Sequence, residues 1–308
     1  MASAARALAL ACALSLAAGT ANAADEWVFC RKSEAAPTAP AYVEVPGDPI
    51  FGFTDPSDVG SPGDCGFAME NTGRVGKQRG SYVGIGSKYE FYVTPIENVS
   101  LSLSGFSAWE HIRNVPGLDD RTGFAFDGIS TEVQYRVLSR GPGNPLAITL
   151  AAEPRWARTD PTSGGRLPSW GVELKLLADL PLDEHWFMAG NLNYAPVWVK
   201  PNDGSSWGHF SATNTSLAIA WGPDGKESRF FLGLESRLLG GFEGLALGRR
   251  VTWAWFAGPN ALIYIGDNAA INFAWTPQII GHERGSSSRR DLDNFERQQF
   301  RLKLSVWY

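Results

Sequence analysis

The chain has 308 residues, 44% hydrophobic, 19% charged and 12% aromatic, with 34 Gly, 19 Pro and 12 Trp. A formal charge of −5 leaves no basic footprint for nucleic acid, and Gly and Pro scattered without a period exclude collagen, coiled coil and helical bundle. Beyond the N-terminus no stretch approaches the roughly 18 apolar residues of a membrane helix, which leaves a strand-built span open.

Residues 1–23 read as an export signal: Arg6 precedes an apolar core from Ala7 to Ala17, and Ala21-Asn22-Ala23 supplies small residues for cleavage before Ala24. Losing Arg6 takes the formal charge from −5 to −6. Cys12 has Ala9 three positions upstream, where a lipid-attachment site wants a larger aliphatic residue. Residues 24–47 carry Pro and Ala without a sustained period and read as an irregular periplasmic segment or a partial plug. The exported chain retains Cys30 and Cys65, which an oxidising compartment favours as a disulfide over two free thiols. Without a His pair nearby they make a poor zinc site, and no metal or other cofactor is expected.

From Asp48 onward apolar and polar residues alternate with period two, the pattern of strands with one apolar face. Twelve segments are predicted: 48–57, 80–94, 99–111, 123–140, 146–159, 170–181, 186–200, 209–221, 227–239, 251–265, 269–280 and 294–308. In 170–180, Trp170, Val172, Leu174, Leu176, Ala178 and Leu180 oppose Gly171, Glu173, Lys175 and Asp179. Short turns (95–98, 141–145, 182–185, 222–226, 266–268) alternate with longer polar connections (58–79, 112–122, 160–169, 201–208, 240–250, 281–293). Sorting loops by length onto two ends is a habit of outer-membrane barrels. With short turns periplasmic, strand 80–94 runs inward, and parity then requires one more strand before it, placed at 48–57 around Ile50-Phe51-Gly52-Phe53. Nine tryptophans (109, 156, 170, 186, 198, 221, 253, 255 and 275) fall on the apolar faces, most near strand ends, as interfacial girdles do. A soluble β-protein struggles to fill one core with that many rings while also sorting its loops.

At the C-terminus Phe300, Leu302, Leu304, Val306 and Tyr308 alternate, so the chain closes on an aromatic residue. This resembles the terminal strand of bacterial outer-membrane barrels, which implies recognition by their assembly machinery. Through FGFTDPSDVG (51–60), EPRWAR (153–158), AGPNALIY (257–264) and DLDNFERQQ (291–299), the chain is also loosely similar to outer-membrane proteins of the phenol-degradation (MetA-pathway) barrel family. That family consists mostly of presumed transporters.

If the apolar faces meet lipid, the polar faces line a lumen. Inward acids are then Glu90, Glu132, Glu153, Glu173, Asp179 and Glu235. Inward bases are Lys88, Arg136, Arg155, Lys175, Arg229, Arg237, Arg297, Arg301 and Lys303, with Gln134, Asn191, Asn193 and Gln299 between them. Six acids against nine bases predict a mild anion preference. Pairing of these charges across strands into a filled, structural lumen carries equal weight. An outer-membrane lipid hydrolase is a third class, since His209-Phe210-Ser211 has the His-x-Ser spacing, but Ala212-Thr213 replaces the Asn-Gly those enzymes carry next. No catalytic residue is therefore assigned. His111, His185 and His282 are scattered, and Gly84-Ile85-Gly86-Ser87-Lys88 lacks the spacing of a phosphate loop.

The expectation is an all-β, membrane-spanning, antiparallel up-and-down barrel of about twelve strands over residues 48–308, in the outer membrane of a Gram-negative-type envelope. It would pass small solutes through a polar lumen. Its partners would be outer-membrane lipid, the assembly machinery and the solute, without nucleic acid.

Overall fold

The computed structural model describes Cys30 and residues 50–201 and 205–308. The expected signal and most of segment 24–47 lie outside the described residues. Twelve strands follow in chain order: β1 (Cys65–Val75), β2 (Ser81–Ile96), β3 (Val99–Arg113), β4 (Arg121–Leu138), β5 (Ala147–Thr159), β6 (Arg166–Pro181), β7 (Trp186–Val199), β8 (Gly208–Trp221), β9 (Phe230–Glu243), β10 (Arg250–Ile265), β11 (Ala269–Glu283) and β12 (Gln298–Trp307). Each pairs antiparallel with its sequence neighbours, and β1 closes on β12 from Gly66↔Trp307 to Val75↔Gln298. The result is a closed up-and-down barrel without a free edge.

Alternation decides which way each side chain points, and the polarity is the reverse of a water-soluble barrel. Leu103, Leu192, Leu217 and Leu234 face outward, 55–62% exposed, whereas Glu132, Glu153, Lys175, Asn191, Glu235 and Arg237 are buried inside. Register aligns the aromatic rings into rows. Trp156 pairs with Trp170, Trp170 with Trp198, and Trp109 with Phe124 toward one end; Trp186 pairs with Trp221 at the other. Two such rows bounding an apolar wall are the girdles of a bilayer-sized belt.

The first strand departs from expectation. Of the expected strand 48–57, residues 48–49 lie outside the described residues and 50–57 do not enter the wall; β1 at Cys65–Val75 supplies the required strand instead. Its pattern is faint because the outward face reads Phe67, Met69, Asn71, Gly73 and Val75, with Asn and Gly in mid-strand. Parity could not distinguish the two segments. The supposed long connection 58–79 therefore shrinks to a turn at 76–80, and the long loop is 284–297, between β11 and β12. The other connections at that end, such as 160–165 and 244–249, are modest, because the strands run further than the alternation suggests.

Leu192 sits at the middle of β7 with its side chain 57% exposed. If hydrocarbon covers it, Leu192→Arg should cost about 2–4 kcal/mol in equilibrium unfolding from lipid vesicles. A water-facing wall would register almost no loss.

Candidate functional site

The lumen is built by three sets of residues, and the first is the segment misread as a strand. Residues 50–60 lie inside the barrel, with Ile50, Phe51, Phe53, Thr54 and Ser57 all buried. Ile50 and Phe51 enter an apolar pocket formed by inward residues of β7 to β11, among them Phe187, Ala220, Phe231 and Leu262. Polar wall residues then take the segment's backbone. The Glu235 carboxylate accepts from Gly52 N and, at 2.7 Å, from Phe53 N. Asp179 accepts from Ser57 N, and Thr149 Oγ1 donates to Ser57 O. Asn191, its amide oriented by the same contacts, donates to Asp55 O at 2.8 Å and accepts from Asp55 N at 2.7 Å. A backbone crossing a lumen without sheet partners needs such acceptors, because an unmet buried N–H costs about 1–3 kcal/mol. Gly52 is sterically required, since a Cβ there would run into Ala274 Cβ. The Phe53 ring lies 3.5 Å beneath the Arg237 guanidinium carbon, a cation–π contact. Outside the lumen the segment is tied by the Cys30–Cys65 disulfide, with Cα atoms 5.1 Å apart, and by Arg136 Nη2 donating to Gly60 O at 3.2 Å.

The second set is an ionic network on β2, β4, β5 and β6. Lys175 Nζ donates to Glu132 and, at 2.7 Å, to Glu153, with Glu173 at 4.0 Å. Lys88 pairs with Glu90 at 2.8 Å and with Glu153 Oε1 at 3.8 Å, the same oxygen to which Ser130 Oγ donates at 2.7 Å. On the opposite wall Arg301 binds Glu70, and Arg237 donates to Gln299 and to Thr276. A buried charge is tolerated only with partners of this kind.

The third set caps the end remote from the termini. Loop 284–297 folds over the barrel mouth, burying Asp291 and Glu296. Lys77, in the 76–80 turn, donates to Asp293 O and Phe295 O at 3.1 Å each and pairs with Glu296 at 3.6 Å. Burial pushes the Lys77 ammonium below its ordinary pKa, and Glu296 opposes that shift.

Between plug and network lies a cavity of about 830 Å³, open toward the end that carries the termini. Its lining includes Asp55, Glu90, Glu132, Lys175, Asn193 and Lys303, but nothing from the 160–165 or 284–297 loops. Nine carboxylates and six cationic side chains line it, so the balance of charge on the lining is acidic, opposite to the sum expected from the strands. The expected sum omitted Asp55 and Asp58 of the unrecognised plug, Asp64 and Glu70 just before and within the unrecognised β1, and Asp267 in the 266–268 turn.

Most residues assigned to the lumen from sequence are there. Lys88, Glu90, Glu132, Gln134, Glu153, Arg155, Glu173, Lys175, Asn193, Arg237, Arg301 and Lys303 line the cavity. Asn191, Glu235 and Arg136 instead hold the plug. Arg229 is a correction. It precedes β9 at the rim, 65% exposed, bonded to Gly266 O and Asp267, because the strand begins only at Phe230. Arg140, reaching inward from the 139–146 turn to Asp179, had no alternation to announce it. On β12, Phe300, Leu302, Leu304 and Val306 face outward in alternation, and Tyr308 N donates to Cys65 O at 2.9 Å.

The His209–Ser211 pair does not assemble a nucleophile. Both side chains lie on the outer face of β8, Ser211 is fully buried, and its Oγ has no hydrogen-bond partner. A hydroxyl without a base in contact is not activated.

The profile of a family described as of unknown function (DUF6662) matches residues 43–308. No curated protein sequence matches the chain. Among solved structures, the COG4313 outer membrane channel from Pseudomonas putida F1 is similar, with TM-score 0.57 and 14% identity over 83% of this chain and 100% of that one. The NanC porin aligns at TM-score 0.46 and 9% identity, over 78% of this chain and 98% of that one. At such identities the likeness is one of fold.

Lys175→Met would strip the partner from two buried carboxylates, Glu132 and Glu153. A loss of about 3–5 kcal/mol is expected in denaturant unfolding of the refolded barrel. A double variant that also carries Glu132→Gln should recover part of it.

Proposed function

We propose that this chain, which belongs to the DUF6662 family, is an outer-membrane channel for small polar solutes, held shut at rest by residues 50–60. The termini and short turns then face the periplasm, and the alternating β12 strand serves as the assembly signal after export. One observation carries the reading: a polar cavity of about 830 Å³ inside a barrel whose outer wall is apolar. That volume lies within the range of roughly 300–1,000 Å³ typical of small-molecule sites. A barrel serving only as an anchor has no need of so large a polar chamber.

The charges suggest which solutes pass. With nine carboxylates against six cations along the lining, cations are favoured over anions. The chamber is open at one end, so passage requires the plug to shift and the 284–297 loop to clear the opposite mouth. Its backbone N–H groups are gripped by Glu235, Asp179 and Asn191, wall side chains that could release it without disturbing a strand ladder.

Planar-bilayer recording of the refolded protein tests this. Wild type should show small, infrequent steps with a cation-selective reversal potential under a salt gradient. Glu235→Ala, which frees Gly52 N and Phe53 N, should raise conductance or open time severalfold. Correctly folded wild type and variant that both stay silent would return the lumen to a structural role.

A further inference from the structure

We propose that the outer rim between the 76–80 turn and the 284–297 loop is a binding site for the phosphate headgroup of a membrane lipid, with Arg289 and Arg290 as its ligands. This rests on the membrane-embedded reading given above.

The site is a groove of about 610 Å³ lined by Gln78, Ile279, Ser288, Arg289, Arg290 and Leu292. Its loop is folded. Asp291 is buried, bonded to Thr252 Oγ1 and to Asn294 N, while Gln278 Nε2 donates to its carbonyl at 3.0 Å. Gly281 N donates to Arg289 O at 3.1 Å, so the loop backbone is pinned on both sides of the arginine pair.

Three features make this a headgroup site rather than a solvated loop. Both arginines are exposed, and among the described residues neither guanidinium is paired with a carboxylate. Some other exposed arginines are neutralised, Arg249 and Arg284 by Glu243 and Arg229 by Asp267, whereas Arg79 in the adjoining 76–80 turn is exposed like the pair and adds to the positive charge of this rim. Next, Ile279 occupies a β-bulge. β10 pairs with Gln278 and then with Ile280, so Ile279 is left without a partner, 38% exposed at the groove floor. Finally, the outward faces of β11 and β12 continue downward from it as Trp275, Phe273, Ile271 and Leu302, all 38–46% exposed. A cationic fork stands at the top of an apolar wall.

Two adjacent guanidiniums match the charge of a phosphomonoester, about −1.5 to −2, and its planar pairs of oxygens, with the Ser288 hydroxyl as a further donor. Ile279 and Leu292 favour a ligand with an acyl chain over free phosphate.

The test is retention of lipid by the refolded full-length protein in detergent, followed by native mass spectrometry and titration. Phosphatidic acid should be retained, phosphatidylcholine should not, and inorganic phosphate should compete poorly. Arg289→Gln with Arg290→Gln should weaken phosphatidic acid binding roughly 10- to 100-fold. Arg229→Gln, at the opposite rim, should leave it unchanged. Equal retention by the double variant, or free phosphate competing as well as the lipid, overturns the proposal. Bilayer conductance separates the two readings. A conducting barrel without lipid retention sinks this site alone, and a silent barrel that still retains phosphatidic acid sinks the channel alone.

Discussion

Hydrocarbon offers no hydrogen-bond partner, so a strand-built wall that meets lipid must pair every backbone N–H and C=O within itself. Closure of β1 on β12 meets that demand, and the rest of the molecule follows from it. Once the sheet is closed, alternation sends each second side chain outward. The apolar half becomes the wall, and the polar half is forced into a space from which bulk water is largely excluded. Every charge placed there then needs a partner, which explains why the lumen reads as ion pairs and charge-assisted hydrogen bonds rather than as a bare channel.

The interior is asymmetric. On the β7–β11 side, small and apolar inward residues make room for Ile50 and Phe51, so that side of the interior is packed against residues 50–51. The β2–β6 side carries the charged network and borders the cavity. The plug joins the two halves. Its apolar residues satisfy one side, and its backbone N–H groups donate to the buried carboxylates of Glu235 and Asp179, beside Asn260 and Arg140 from the wall. Glu235 illustrates the economy: both of its oxygens accept from plug backbone, and one also accepts from Asn260 Nδ2 at 2.6 Å. The plug also reverses the charge of the chamber. Strand residues alone bring six cations against five carboxylates to the cavity; Asp55 and Asp58 of the plug already tip the balance to acid, and Asp64 and Asp267 bring the carboxylates to nine.

Alternation made β2 to β12 readable, because a one-residue slip would turn leucines and tryptophans inward and glutamates outward. For the same reason the faces of Glu132, Lys175, Glu235 and Arg237 followed from spacing alone. β1 lacked that signal, with Asn71 and Gly73 on its outward face, whereas Ile50-Phe51-Gly52-Phe53 looked strand-like although its rings are buried against inward wall residues. Apolar residues advertise burial. They do not say whether lipid or protein does the burying.

The sequence by itself determined the fold class, the number of strands, the orientation of nearly every wall residue and the identity of most groups that line the lumen. Each of these is set by local periodicity and composition, which survive without knowledge of distant partners. Only the tertiary structure decided that residues 50–60 cross the lumen, that the chamber opens at one end, and that its lining is acidic. Those properties depend on contacts between residues more than a hundred positions apart, such as Gly52 with Glu235 and Ser57 with Asp179, and no local pattern encodes them.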